Sequence, residues 1–300
     1  PMSIITQNRR RVLTSGEVDV FSDIDVAYSV RKIVPTWTKA VMKVRRTGDN
    51  QTRYVFFNGV DLLDAVIGTD SSTPSATTFP SWYGSSTVYV EEWISQNYTN
   101  TVVADKVLTQ TSTGLQPILV SLGSINLKNG KPFLDFNGTS TEMITAGNIT
   151  SFSGNNNSMF SVTHNDTSAN AGYFFSSSNV AVDGYTMQSS RDSATSRIGF
   201  FIPTTGNSAI AVLPSVSNNS DQLAQSIIAD ATTLKGYLNG VVTATAVKEG
   251  ASLAGNMVIG RRWDSNFLNG GIQELISFPL NKTSGVGALN ANINNYFSIY

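Results

Sequence analysis

Apolar and polar positions alternate most clearly in Ile272–Leu280, IQELISFPL. Ile272, Glu274, Ile276 and Phe278 fall on one side and Gln273, Leu275 and Ser277 on the other, the period-two pattern of a β-strand. The carboxylate on that otherwise apolar side demands a partner, because an unpaired buried charge is costly. Upstream, Met257–Gly260 is a short apolar run that stops at a glycine, and Leu234–Val247 holds two apolar runs around Asn239-Gly240. Asn-Gly at such a place predicts a hairpin, since both central residues of the turn take positive φ. Similar punctuation predicts a return at Gly48-Asp49-Asn50, and turns at Asn129-Gly130 and Asn137-Gly138. Between the last two, Phe133 and Asp135 lie opposite Leu134 and Phe136 on a strand. Short strand-like runs continue from Ser158 to Val247, a spacing that suggests a sandwich rather than alternating β and α units. Helical spacing is rarer. Ala27, Val30 and Ile33–Val34 predict one short helix that opens at Asp23 or Asp25 and closes at Pro35, and Asp61–Ile67 predicts another stopped by Gly68.

Composition sharpens this picture. Three hundred residues with 40% hydrophobic content can bury a substantial core. Only 14% are charged, against roughly 25% in an average soluble domain, and Ser, Thr and Asn supply most of the polarity. The formal net charge of −1 argues against nucleic acid as a partner. With no cysteine, disulfides, thiolate metal sites and cysteine nucleophiles are excluded, as suits synthesis in a reducing cytoplasm. No apolar run approaches the roughly 18 residues of a membrane span. Residues 1–22, with Arg9-Arg10-Arg11, read as an extended arm that docks the chain to an assembly.

Candidate chemistry is sparse. His164 is the single histidine, which defeats multi-histidine metal sites, and neither a phosphate-binding glycine loop nor a nucleophile elbow is present. No metal and no cofactor is expected. Asp264, Asn266 and Asn269 are too few oxygen donors for calcium. Phe79, Trp82 and Tyr83, in a Ser/Thr/Pro-rich loop, are expected to pack over the sheet, the alternative being that they stack on sugar faces. Arg261, Arg262, Trp263, Asp264 and Asn266 form the candidate carbohydrate-binding set: the indole offers a flat apolar face to sugar C–H groups, and the others offer planar hydrogen-bonding partners. The competing reading has Trp263 and Phe267 plugging the end of the core.

Gly236, Tyr237, Asn239, Gly240, Ile259, Gly260, Phe267, Asn269, Gly270, Ile272, Glu274 and Ile276 form a pattern that resembles the C-terminal half of concanavalin A-like lectin/glucanase sandwiches of the laminin-G-like kind. Ala27-Tyr28-Ser29-Val30-Arg31, Val44-Arg45-Arg46 and Gly48-Asp49-Asn50 are similar to the opening of arabinofuranosidase B-type catalytic domains, and of phage and bacterial surface proteins that share it. Gln116-Pro117-Ile118 and Asn129–Gly138 resemble a passage of the same surface proteins. Where relatives continue Trp-Tyr-Asp-Gln-Ser-Gly-Asn-Gly, Trp93–Asn100 keeps only Trp93 and Gln96. The hydrolase likeness implies two carboxyl groups about 5–5.5 Å apart if the reaction retains configuration. It places the acid/base at Asp264, whereas Thr195–Ser220, where the nucleophile would stand, holds no carboxylate.

The expectation is therefore an all-β, concanavalin A-like jelly-roll sandwich over residues 23–300, with 23–68 as a small helix and hairpin element packed on it and 1–22 as the arm. Its expected role is that of a non-enzymatic virion surface protein, made in the host cytoplasm, that docks other virion proteins through the arm and binds a host-surface glycan. It is expected to form a homo-oligomer and to touch neither nucleic acid nor membrane. The alternatives are a furanoside hydrolase and a purely structural capsid component.

Overall fold

A computed structural model describes residues 21–152, 156–166, 172–177, 186–192, 195–204, 207–212, 223–247, 255–261 and 267–300. The expected arm up to Val20 and residues 262–266 lie outside the described residues.

The expected all-β jelly-roll sandwich is what the chain forms. One layer is built around Asn269–Phe278, the strand of clearest alternation. It pairs along one edge with Asn157–Asn165, and along the other with Val26–Ser29 and Leu134–Asn137. From Asn157–Asn165 the layer runs on through Leu223–Ala229 and Thr233–Leu238 to Val241–Val247. The second layer runs Thr52–Phe56, Met42–Arg46, Val88–Ile94, Val107–Thr109, Met143–Asn148, Asn256–Ile259 and Gly172–Ser177. Ile118–Ser121 joins the layers by pairing with both Val88–Tyr89 and Asp135. All of these pairings are antiparallel.

The turn residues behave as their chemistry requires. Asn239 and Gly240 take φ of 49° and 81°, and Asn129 and Gly130 take 49° and 70°. These left-handed pairs let the flanking strands return in register. Asn137 Oδ1 accepts from the amides of Thr139, Ser140 and Thr141, which folds its turn tightly.

Two short helices do not form where spacing suggested them. Val26–Ser29 is a strand, every residue of which is buried. A strand covered on both faces loses the alternation that marks a strand, so its apolar positions match helical spacing by coincidence. In the second segment only a 3₁₀ turn, Leu62–Asp64, survives, capped by the Asp61 side chain on Leu63 N, and Val66–Gly68 continues as a strand.

From Gly270 to Phe278 the central strand is buried throughout. On one face Tyr28, paired with Leu275, meets Trp93 of the second layer with ring centroids 5.8 Å apart. Over the other face lies the helix Val286–Phe297, which buries Leu289, Ile293 and Phe297 and accepts a hydrogen bond from Ser226 Oγ at Asn290 Oδ1.

Glu274, fully buried on that second face, finds its partner in Arg31. The guanidinium donates through Nε to Oε2 at 2.7 Å and through Nη2 to Oε1 at 2.9 Å, while Ser29 Oγ donates to Oε2 at 2.7 Å. Nη1 of Arg31 reaches Asn292 Oδ1 of the helix at 2.7 Å. Gln96 fixes the same segment: its Oε1 accepts from Ile33 N and Val34 N and its Nε2 donates to Arg31 O. The residues that carry the family likeness in the first hundred positions, Tyr28 to Arg31 with Trp93 and Gln96, thus form one interior network around the central strand. Their shared task is to lock the fold.

Candidate functional site

The carbohydrate-binding set is described in one member. Arg262, Trp263, Asp264 and Asn266 lie outside the described residues, so Asp264 has no place in the geometry below. Arg261 forms an antiparallel bridge with Phe267, and its guanidinium is ion-paired with Glu142. Phe79, Trp82 and Tyr83 are all buried, in agreement with the packing role expected of them.

What the sheet does bring together is a polar row at the same end of the sandwich. Gly271 of the central strand stands between Asp135 on one neighbour and His164 on the other. Residues directly opposite share a face, so Asp135, His164 and, two positions on, Asp166 lie on one side of the sheet. The glycine is needed there: a Cβ would fall 2.2 Å from His164 Cε1 and 2.5 Å from Phe133 Cδ2. The His164 ring lies across this gap, edge-on to Phe133 with centroids 4.6 Å apart. Asp166 is held by its amide on Asn269 O at 2.9 Å, and its Oδ1 is 3.7 Å from His164 Nε2.

The electrostatics differ sharply along the row. Burial, reinforced by the charge of Asp166, pushes the Asp135 carboxyl up to about 6. Burial likewise raises Asp166, with Lys128 pulling the other way. His164 is held down to about 3 by burial and then by Lys128, so the imidazole is neutral at pH 7. Its Nδ1 is buried without a hydrogen-bond partner among the described residues. Among the described residues, no group of three or more His, Cys, Asp or Glu side chains is placed to hold a metal ion.

The row joins a carboxyl that keeps its proton to near pH 6, a second carboxylate within charge-coupling range and an aromatic ring. That is chemistry suited to hydroxyl-rich ligands and to proton donation at a glycosidic oxygen. The strand pattern exposed Asp135 as the polar member of its side, but nothing in the sequence announced its meeting with Asp166, since that depends on two registers across a third strand. A carboxyl titration by NMR is expected to give Asp135 a midpoint near 6, lowered in Asp166→Asn as one of its two causes disappears. A wild-type midpoint at the ordinary value of about 3.9 refutes the coupled row. Between the ordinary value and about 6 the native state keeps a proton that the unfolded chain has lost. Asp135's contribution to stability is therefore complete below that window and is lost as pH rises through it.

No protein-family model matches the sequence, and no curated protein matches it. Solved structures do match the fold. A glutamate-to-glutamine mutant of a GH54 α-L-arabinofuranosidase soaked with 4-nitrophenyl α-L-arabinofuranoside superposes with a TM-score of 0.57 at 14% identity, over 90% of this chain and 62% of that one. The GH54 enzyme soaked with a cyclic sulfate inhibitor gives 0.57 at 12% identity over the same shares. An arabinofuranosidase complexed with arabinofuranosyl-α-1,2-xylobiose gives 0.54 at 15% identity, over 89% of this chain and 62% of that one. The chain thus spans less than two thirds of these enzymes' length, and the likeness is one of fold. It corrects the expectation of a non-enzyme: the architecture shared by nearly the whole chain is one that glycoside hydrolases use.

Proposed function

We propose that this chain is a carbohydrate-engaging sandwich of a virion surface, which seats a host glycan against the row of Asp135, His164 and Asp166. The observation that carries the reading is the coupled carboxyl pair beside an aromatic ring, set in a sandwich of arabinofuranosidase type. The carboxyls accept hydrogen bonds from sugar hydroxyls, and Phe133 offers apolar surface to the ring carbons. The virion setting is supported by the likeness of the chain's opening to phage surface proteins, and by a weakly charged surface rich in Ser, Thr and Asn.

One observation favours hydrolysis of furanosides at the same row. A carboxyl that stays protonated to near pH 6 is poised as a general acid, with Asp166 as the second acidic group of the pair. The test combines calorimetric titration with arabino-oligosaccharides and chromogen release from 4-nitrophenyl α-L-arabinofuranoside, in wild type and Asp135→Asn. Hydrolysis predicts release that falls by roughly 10²–10⁴-fold in the variant; recognition alone predicts binding that weakens without release. Failure to bind or cleave any arabino-oligosaccharide or member of a broad glycan array rejects both. Presence of the chain in purified particles, at a copy number fixed by symmetry, tests the virion setting.

A further inference from the structure

A separate cavity of about 430 Å³ lies on the other layer, where the loop after Val66–Gly68 folds back beside Trp82. Its lining includes Arg53, Ile67, Asp70, Pro74, Thr77 and Trp82. The loop is firmly built. Ser75 donates through both its amide and its hydroxyl to Ile67 O at 2.7 Å, and Ile67 N donates to Thr77 O at 3.0 Å. Asp70 Oδ1 accepts from the amides of Ser72 and Thr73 at 2.7 and 2.9 Å. These bonds fix the carboxylate in place and lower its pKa, so it stays ionised. Gly68 closes the floor, since a Cβ there would stand 2.3 Å from Thr73 O and 2.8 Å from the Phe56 ring. Trp82 forms a rigid wall, with the Arg46 guanidinium 5.0 Å over its ring, Phe79 stacked against it and Nε1 donating to Gln51 Oε1.

We propose that this cavity is a second saccharide site, one that takes a single neutral sugar unit. Its lining holds one cation and one anion, so it offers no net charge to an acidic or basic ligand. An ionised carboxylate and a guanidinium together match a vicinal diol: Asp70 accepts from the hydroxyl protons and Arg53 donates to the oxygens. Among the described residues, the Arg53 side chain makes one hydrogen bond, from Nη1 to Thr52 O, which leaves further donors for a ligand. Ile67, Pro74 and the edge of Trp82 supply apolar contact for ring carbons. The volume falls at the lower end of the roughly 300–1,000 Å³ typical of ligand pockets, which suits one sugar rather than a chain. Nothing in this argument depends on Asp135.

Chemical-shift mapping on the full chain tests it, with methyl α-L-arabinofuranoside, methyl β-D-galactopyranoside and methyl α-D-mannopyranoside as probes and methyl β-D-glucuronide as the anionic control. At least one neutral glycoside is expected to shift the amides of Gly68 to Ser75 and the Trp82 indole N–H. Asp70→Asn, which keeps the amide-accepting oxygen, and Arg53→Met are each expected to weaken that response at least tenfold, while Asp135→Asn leaves it unchanged. Shifts that survive both pocket variants, a stronger response to the glucuronide, or no response in this segment at saturating sugar would overturn the proposal.

Discussion

Arg31→Met is expected to lower the unfolding free energy by about 3–5 kcal/mol, the usual result of stranding one half of a buried ion pair. Glu274 is wholly inaccessible and the Arg31 side chain nearly so. After the substitution the carboxylate keeps only Ser29 Oγ, and the helix loses its bond from the guanidinium to Asn292. Three aromatic rings also lose the guanidinium, whose carbon lies 5.1 Å from the Tyr296 ring centroid, 5.5 Å from that of Phe297 and 5.9 Å from that of Phe21, although Tyr296 keeps Lys131 Nζ at 4.1 Å. The pair as a whole is another matter, because desolvating two charges offsets most of their attraction. Arg31→Met combined with Glu274→Leu is therefore expected to recover most of the loss. Urea unfolding followed by circular dichroism, run as a double-mutant cycle, measures both. A single variant within about 1 kcal/mol of wild type shows that the network does not lock the fold.

Gly271→Ala is the second large effect. One added methyl must occupy space already held by His164 Cε1 and Phe133 Cδ2. His164 is 2% exposed and has little room to retreat. Overpacking of this kind costs about 1–3 kcal/mol, and here it also displaces the imidazole from beside Asp166. Ligand binding at the row is expected to fall with stability, and the Asp135 titration to move. Adding His164→Ala opens the space, so the double variant is expected to be more stable than the two separate losses would sum to. Strict additivity means that the ring does not fill the gap above the glycine.

What could be read in advance follows from the range of the interactions involved. Asn239-Gly240 and Asn129-Gly130 encode their turns within two residues. The alternation of Ile272 to Phe278 encodes a strand, and the odd carboxylate within it rightly called for a partner. Val26–Ser29 could not be read in this way, because burial on both faces erases the pattern. The site lay deeper still. Asp135, His164 and Asp166 come together only through the registers of two strands on Gly271, and register is a long-range property. The resemblance speaks to architecture for a related reason: its most recognisable residues, among them Arg31, Gln96 and Glu274, serve the interior network and leave catalysis open.

The place of the central strand in the chain also has consequences for biogenesis. Asn269–Phe278 pairs with segments that begin at residues 26, 134 and 157, so the ribosome must deliver every residue from Val26 to Phe278 before this layer can close. Until then its neighbours are unsatisfied edges, and such long-range closure is slow. A product that stalls upstream of Asn269 is a natural client for chaperones and a seed for aggregation.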